Sequence, residues 1–287
     1  MPRMILVVAL LSLLAPGSGW AQDVTVTPDV VYGHKYGMAL TFDVFEPANA
    51  NGAAVLNIVS GGWRSAWRPH DVSQARYQAL LDAGFTVFAV RHGSSPKYVL
   101  PEIVPDVRRA VRYIRLNARR LGVDPERLGV WGGSAGGHLS LMLGLGADRG
   151  DPSAEDAVLR SGNRVAAVVA YYPPVDLRPL ARGITTENAN TRFPALNFDP
   201  SEASSISPIV HVSGDDPPTL LIHGDADGLV PVSNSHDMYA ALQERGVESK
   251  VIIIPGAGHG FRGADAELAM TALVDWFGIH LGARTSN

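Results

Sequence analysis

The chain of 287 residues contains no cysteine. Disulfides are therefore excluded, as is a lipid-modified N-terminal cysteine, and the fold must rest on its core alone. Long apolar runs are missing too: none reaches the roughly 20 residues that a membrane-spanning helix needs. No charge of one sign dominates. The 24 Lys+Arg and 28 Asp+Glu leave a net charge of −4, which favours neither nucleic acid nor an anionic membrane as partner. Internal repeats and low-complexity tracts are absent.

What is present is a 46% hydrophobic composition, enough for a full core in one large domain or two small ones. The 30 Gly and 20 Pro fit many turns between short elements. The first residues stand apart from the rest. Arg3, an apolar run over 4–15 and the small residues Gly19 and Ala21 have the layout of a secretory signal peptide cleaved after Ala21. The expectation is an exported chain, periplasmic or secreted, with residues 22–287 as a single domain.

Alternation of apolar and polar residues in "VTVTPDVVYG" and "ALTFDVFEP" predicts two antiparallel edge strands. The texture then changes to short, nearly continuous apolar runs, "AAVLNIVS", "FTVFAV", "RLGVWG", "RVAAVVAYY", "PPTLLIHG" and "SKVIIIPG", as expected of strands covered on both faces. Helical segments alternate with them over 71–84, 102–122, 136–145, 233–246 and 265–281. In the second, Val107, Ala110, Val111, Ile114, Ala118 and Leu121 share one face, while Arg108, Arg109, Arg112, Arg115 and Arg119 read as a solvated face. Strand–helix alternation implies an α/β fold: a mostly parallel sheet with helices on both faces. Residues 176–216 show little periodicity and read as a lid or binding insertion.

The stretch Gly132-Gly133-Ser134-Ala135-Gly136 lies between a predicted buried strand and a helix and matches G-x-S-x-G. In such a turn the serine takes a strained backbone and side chains two residues away on either side would collide. The helix N-terminus behind it favours developing negative charge. Serine needs a base, and the base an orienting acid. "TLLIHGDADGLVP" places Asp225 and Asp227 after one strand, and "VIIIPGAGHGF" places His259 after the next, giving the order Ser…Asp…His. Loop length does not separate the two acids. His138 and His223 read as structural. A calcium loop starting at Asp225 fails, because His236 stands where its last carboxylate belongs and Pro231 interrupts it, so no metal is expected. An oxyanion hole would draw one N–H from Ala135 and another from the Gly61-Gly62 loop.

Over residues 41–281 the chain resembles the α/β-hydrolase superfamily, in particular the bacterial esterases related to hormone-sensitive lipase that include acetylxylan and feruloyl esterases. The segments that carry the resemblance are "SGGWRS", "DVRRAVRYIRLNARRLGVDPERLGVWGGSAGGHLS", "SPIVHVSGDDPPTLLIHGDADGLVP" and "PGAGHGF". The resemblance implies Ser134 as nucleophile, His259 as base, Asp227 rather than Asp225 as acid, and Gly61, Gly62 and Ala135 as oxyanion donors, with no cofactor. Where the family often has His-Gly-Gly-Gly-Trp, this chain has Val59-Ser60-Gly61-Gly62-Trp63, without the histidine that braces the loop. The segment "RHGSSPKYVLP" departs from the commoner "YRLSPE".

The expected activity is hydrolysis of short-chain acyl esters, acetyl to about butyryl, with a small-molecule or carbohydrate alcohol. Polar side chains of the insertion, Arg178, Arg182, Glu187, Asn188, Asn190, Arg192 and Asn197, would meet that alcohol, and Trp63 and Trp67 are candidates to stack on its ring. Two rivals use the same fold: a prolyl-oligopeptidase-type peptidase, which usually carries a propeller domain, and an inactive binding protein, which would be expected to have lost a triad member.

Overall fold

The computed structural model describes residues 23–179 and 191–282. The expected signal peptide over 1–21 lies outside the described residues, as do Arg182, Glu187, Asn188 and Asn190. Eight strands form one sheet: β1 (Val24–Lys35), β2 (Met38–Pro47), β3 (Ala54–Ile58), β4 (Thr86–Val90), β5 (Leu128–Gly133), β6 (Ala167–Tyr171), β7 (Thr219–Gly224) and β8 (Ser249–Ile254). Their order is β1-β2-β4-β3-β5-β6-β7-β8. β1 and β2 run antiparallel, β2 is antiparallel to β4, and β3 to β8 are parallel to one another. The two leading strands were both expected at the edge. Only β1 is there. β2 pairs on both sides, and its run Phe42–Phe45 is buried.

The helices are α1 (His70–Asp82), α2 (Leu100–Leu116), α3 (Ala135–Leu145), a short α4 (Ala157–Arg160), α5 (Ser233–Glu244) and α6 (Ala264–Leu281). The period-2 alternation of the buried strands sorts side chains to two cores. Leu56, Phe88, Val130 and Val168 face one layer with residues of α2, α3 and α5. Val55, Val87, Trp131 and Val169 face the other with Leu80 and Leu81 of α1 and Leu273 and Phe277 of α6. Gly84 closes α1 in the left-handed region, φ +82°, with its N–H on Leu81 O at 2.9 Å. Among the described residues no helix is long and apolar enough to cross a membrane.

α2 ends at Leu116, earlier than its apolar period implies, with the Asn117 amide donating to Tyr113 O at 2.8 Å. Three of the five arginines expected on a solvated face are ties instead, while Arg119 is exposed. Arg112 is buried and its Nη2 donates to both Asp148 oxygens at 2.6 Å, Arg109 pairs with Asp156 at 2.5 Å, and Arg115 pairs with Glu126 at 2.6 Å. They anchor the loops around the sheet's lower rim to the helix that covers it. The insertion has short 3-10 turns at Pro194–Leu196, Pro200–Glu202 and Pro208–His211 among its described residues. Leu196 and Phe198 join the core instead of facing a cleft.

Candidate active site

The loops after β3, β5, β7 and β8 leave the same edge of the sheet, because these strands are parallel. Ser134 follows β5 at φ 56°, ψ −120°, a backbone that L-residues rarely adopt. Its N–H donates to Tyr171 O and its carbonyl accepts from His138 N–H, both at 2.9 Å, which fixes the turn between β6 and α3. The flanking glycines are steric requirements. A Cβ on Gly132 would lie 2.5 Å from the Gly136 backbone, and one on Gly136 would lie 2.7 Å from Ile58 O. The collision anticipated from the motif is the one found.

His259 reaches this serine from the loop after β8. Its Nε2 is 2.9 Å from Ser134 Oγ and its Nδ1 is 2.7 Å from Asp227 Oδ2. A carboxylate can only accept, so Nδ1 carries the proton and Nε2 is free to receive one from the hydroxyl. Asp227 has a fully buried side chain. Burial pushes its carboxyl up, but Val230 N–H, His259 and Leu229 N–H together hold it below the usual carboxylate range. Those N–H groups bond Oδ1 at 2.8 and 2.9 Å. Asp225, the other acid in the loop, is exposed and accepts from Gly256 N–H at 2.6 Å. It ties the β7 and β8 loops together and does not reach the imidazole. The alternative left open by loop length is thereby closed geometrically.

Two residues that read as structural behave differently from each other. His138 is a buried brace: Nε2 donates to Ile206 O at 2.8 Å, Nδ1 accepts from Trp63 Nε1 at 3.4 Å, and burial lowers its pKa to about 4. His223, at the end of β7, also touches the site. Its Nε2 faces Val230 O at 3.0 Å and Asp227 Oδ2 at 3.3 Å.

The oxyanion donors expected from the loop after β3 need one correction. Gly61 N–H donates to Arg64 O at 3.0 Å in a tight bridge, so it is not available to substrate. Gly62, at φ +56°, and Ala135, the first residue of α3, have N–H groups without a hydrogen-bond partner among the described residues. The family's missing histidine is replaced by other ties. His92 Nε2 accepts from Ser60 Oγ at 2.9 Å while its Nδ1 donates to Gly93 O, and Ser65 Oγ donates to Val59 O at 2.6 Å.

The two candidate tryptophans differ in exposure. Trp63 is buried against His138 and Phe193 and offers no face to a ligand. Trp67 is exposed beside His70 but does not line the cleft. Two of the insertion's described polar residues, Arg178 and Arg192, engage neighbours within the insertion. Arg178 is bidentate to Asp176, and Arg192 lies over the Phe193 ring. Among its described residues only Phe193 lines the cleft. The polar lining instead comes from the β3–α1 segment, through Ser60, Arg64, Arg68, Ser73 and Arg76, with Asn57 at its floor. Tyr172, directly after β6, packs its ring 4.7 Å from that of His259, and burial raises its phenol pKa. Its place after a buried strand, on the same edge as Ser134, was the signal that could have found it. Among the described residues no cluster of His, Cys, Asp and Glu could hold a metal ion.

A family model, BD-FAE, matches residues 42–242. The chain belongs to the BD-FAE family. It is 28% identical over 278 residues to Esterase LipQ of Mycobacterium tuberculosis, covering 90% of this chain and 63% of that one. It is 26% identical over 230 residues to an acetylxylan esterase of Xylanibacter ruminicola, covering 76% of this chain and 42% of that one. The chain thus spans less than two thirds of the length of these curated relatives. Among solved structures, a truncated carbohydrate esterase from gut microbiota superposes with a TM-score of 0.74 at 28% identity, covering 91% of this chain and 97% of that one. An acetyl ester-xyloside bifunctional hydrolase from Caldicellulosiruptor lactoaceticus shares the fold, with a TM-score of 0.72 at 24% identity over 91% of this chain and 98% of that one. The α/β-hydrolase fold expected of this chain is the fold it shares with these solved structures.

Proposed function

We propose that this BD-FAE chain is a serine carboxylester hydrolase acting on short acyl esters of carbohydrate alcohols. The observation that carries the reading is the continuous chain Ser134 Oγ, His259, Asp227, at 2.9 and 2.7 Å. Ser134 Oγ attacks the ester carbonyl as His259 Nε2 takes its proton. Asp227 keeps the imidazole oriented and offsets its positive charge. The carbonyl oxygen, now negative, rests on the Gly62 and Ala135 N–H groups, with the α3 N-terminus behind them. His259 returns the proton to the leaving alcohol oxygen and Ser134 retains the acyl group. Water, deprotonated by His259, then attacks the acyl-enzyme and releases the acid and free Ser134. No step calls on a cofactor.

The substrate class rests on the cleft. Phe193 sits over Gly62, where a Cβ would meet its ring at 3.1 Å, and Tyr172 closes over Gly133. These two rings leave little length for an acyl chain beside Ser134. The cleft as a whole, about 800 Å³, also carries the hydrogen-bonding side chains of Asn57, Ser60, Arg64, Arg68 and Arg76, which can meet the hydroxyls of a sugar. Two similar proteins, an acetylxylan esterase and a carbohydrate esterase, act on such esters by name. Export of the mature chain from Gln22 is part of the same proposal, since polymeric carbohydrate lies outside the cell. N-terminal sequencing of the secreted protein checks the export, and a panel of p-nitrophenyl esters and acetylated sugars checks the activity. Faster turnover with acyl chains of ten or more carbons would refute the short-acyl assignment.

A further inference from the structure

The cleft has a charge that the sequence as a whole does not. Four guanidinium groups line it, Arg64, Arg68, Arg76 and Arg91, against a single carboxylate, Asp43. Arg91 is spent on Asp43, at 2.5 and 2.9 Å, and on Asp29 at 2.7 Å. The other three have no acidic partner among the described residues, although the chain carries a net charge of −4. Arg76 is held in place over the Trp131 ring, 5.2 Å from its centroid, so one cation is positioned without being neutralised. The first turns of α1 add to the field. Val72, Ser73 and Arg76 line the same cleft, and the helix N-terminus carries no side-chain cap. Asp71, the acid in that first turn, is not among the lining residues. What sets Arg64, Arg68 and Arg76 apart is their place: all three line the cleft that holds Ser134, with no carboxylate bound to them among the described residues.

Resting on the esterase reading above, we propose that the cleft selects esters that carry a carboxylate, which Arg64, Arg68 and Arg76 receive. Guanidinium groups match carboxylates in a planar, bidentate geometry. An uncompensated cationic cleft also concentrates anionic substrate at its mouth. The carboxylate belongs either to the alcohol half, as in an acetylated uronic acid, or to the acyl half, as in a dicarboxylic monoester.

Two matched pairs separate these sources: acetylated methyl glucuronoside against acetylated methyl glucoside, and monoethyl glutarate against ethyl pentanoate. At low ionic strength the charged member of one pair is expected to show kcat/KM about tenfold or more above its neutral partner. The pair that shows it names the half that carries the charge. Raising salt to about 0.5 M should shrink the ratio, because the Debye length falls to a few ångströms. In Arg64→Gln/Arg68→Gln/Arg76→Gln protein the ratio should approach one, with circular dichroism checking the fold. If that variant does not fold, the salt dependence of the wild-type ratio decides alone. Calorimetric binding of both pairs to Ser134→Ala protein reads the same preference without turnover. Failure to hydrolyse p-nitrophenyl acetate would therefore sink the esterase reading while leaving this one measurable. Equal or weaker binding and turnover of both charged esters overturns the carboxylate proposal by itself.

Discussion

His223 Nε2 lies 3.3 Å from Asp227 Oδ2, the same oxygen that accepts from His259 Nδ1. A carboxylate and the Val230 carbonyl both face this nitrogen, so it carries the proton, and Nδ1 takes the Ser235 hydroxyl at 2.7 Å. Burial lowers the His223 pKa and keeps it neutral. A neutral donor supports the carboxylate without competing with His259 for the role of base. His223→Leu should therefore lower stability by about 1–3 kcal/mol through the unpaired Val230 carbonyl. It should also cut kcat more than KM. Urea unfolding and steady-state kinetics check both, and an unchanged kcat would reduce His223 to a packing residue.

The two acids of the β7 loop should separate cleanly. Asp227→Asn leaves the geometry but cannot hold the Nδ1–H tautomer, and kcat should fall about 10³–10⁴-fold. Asp225→Asn keeps an acceptor oxygen for Gly256 N–H and touches neither His259 nor Ser134, and kcat should stay within about threefold of wild type. The reverse ranking would move the orienting role to Asp225.

Neighbouring glycines should part in the same way. Gly61 has open space where a Cβ would go, and its N–H is already bonded to Arg64 O. Gly62 sits at φ +56° with Phe193 against it. Gly61→Ala should keep most activity. Gly62→Ala should displace an oxyanion donor and lower kcat about 10²-fold or more. Equal losses would show that both N–H groups serve the oxyanion.

Acid should destabilise the fold before it protonates ordinary carboxylates. Burial depresses His92 and His138 to about 4, below the unfolded value of about 6.5. Between those limits the unfolded chain binds more protons, so stability is full above pH 6.5 and falls as pH drops towards 4. Each group contributes on the order of 3 kcal/mol to that slope. Asp43 and Asp227, held low, extend the loss below about pH 3.8, while Asp106, raised by burial, opposes it. The urea midpoint should drop from pH 7 to pH 4.5, and less steeply in His92→Asn. A midpoint that rises on acidification would contradict the buried neutral histidines.

Local pattern made the parallel sheet legible, because buried strands in β/α alternation are continuous apolar runs bounded by turn residues. Ser134 and His259 were legible for a related reason: a strained turn demands glycine, and both loops leave strand ends on one edge. Asp227 needed the resemblance, since its neighbour Asp225 differs from it only in what the folded loops bring near. Gly61 and Trp63 were misread because sequence places them beside the cleft but does not tell which N–H is already bonded or which ring is buried. The arginines of 64–76 escaped notice for the opposite reason. They are spread over a loop and a helix, and only the fold gathers their charge at one mouth.

The most direct test of the account is to quench the enzyme during turnover of p-nitrophenyl acetate and weigh its peptides. The account predicts one acetyl group on the peptide that contains Ser134, absent from Ser134→Ala protein, which should be folded and almost without activity. An acetyl group on another residue, or near wild-type kcat in folded Ser134→Ala protein, would contradict it.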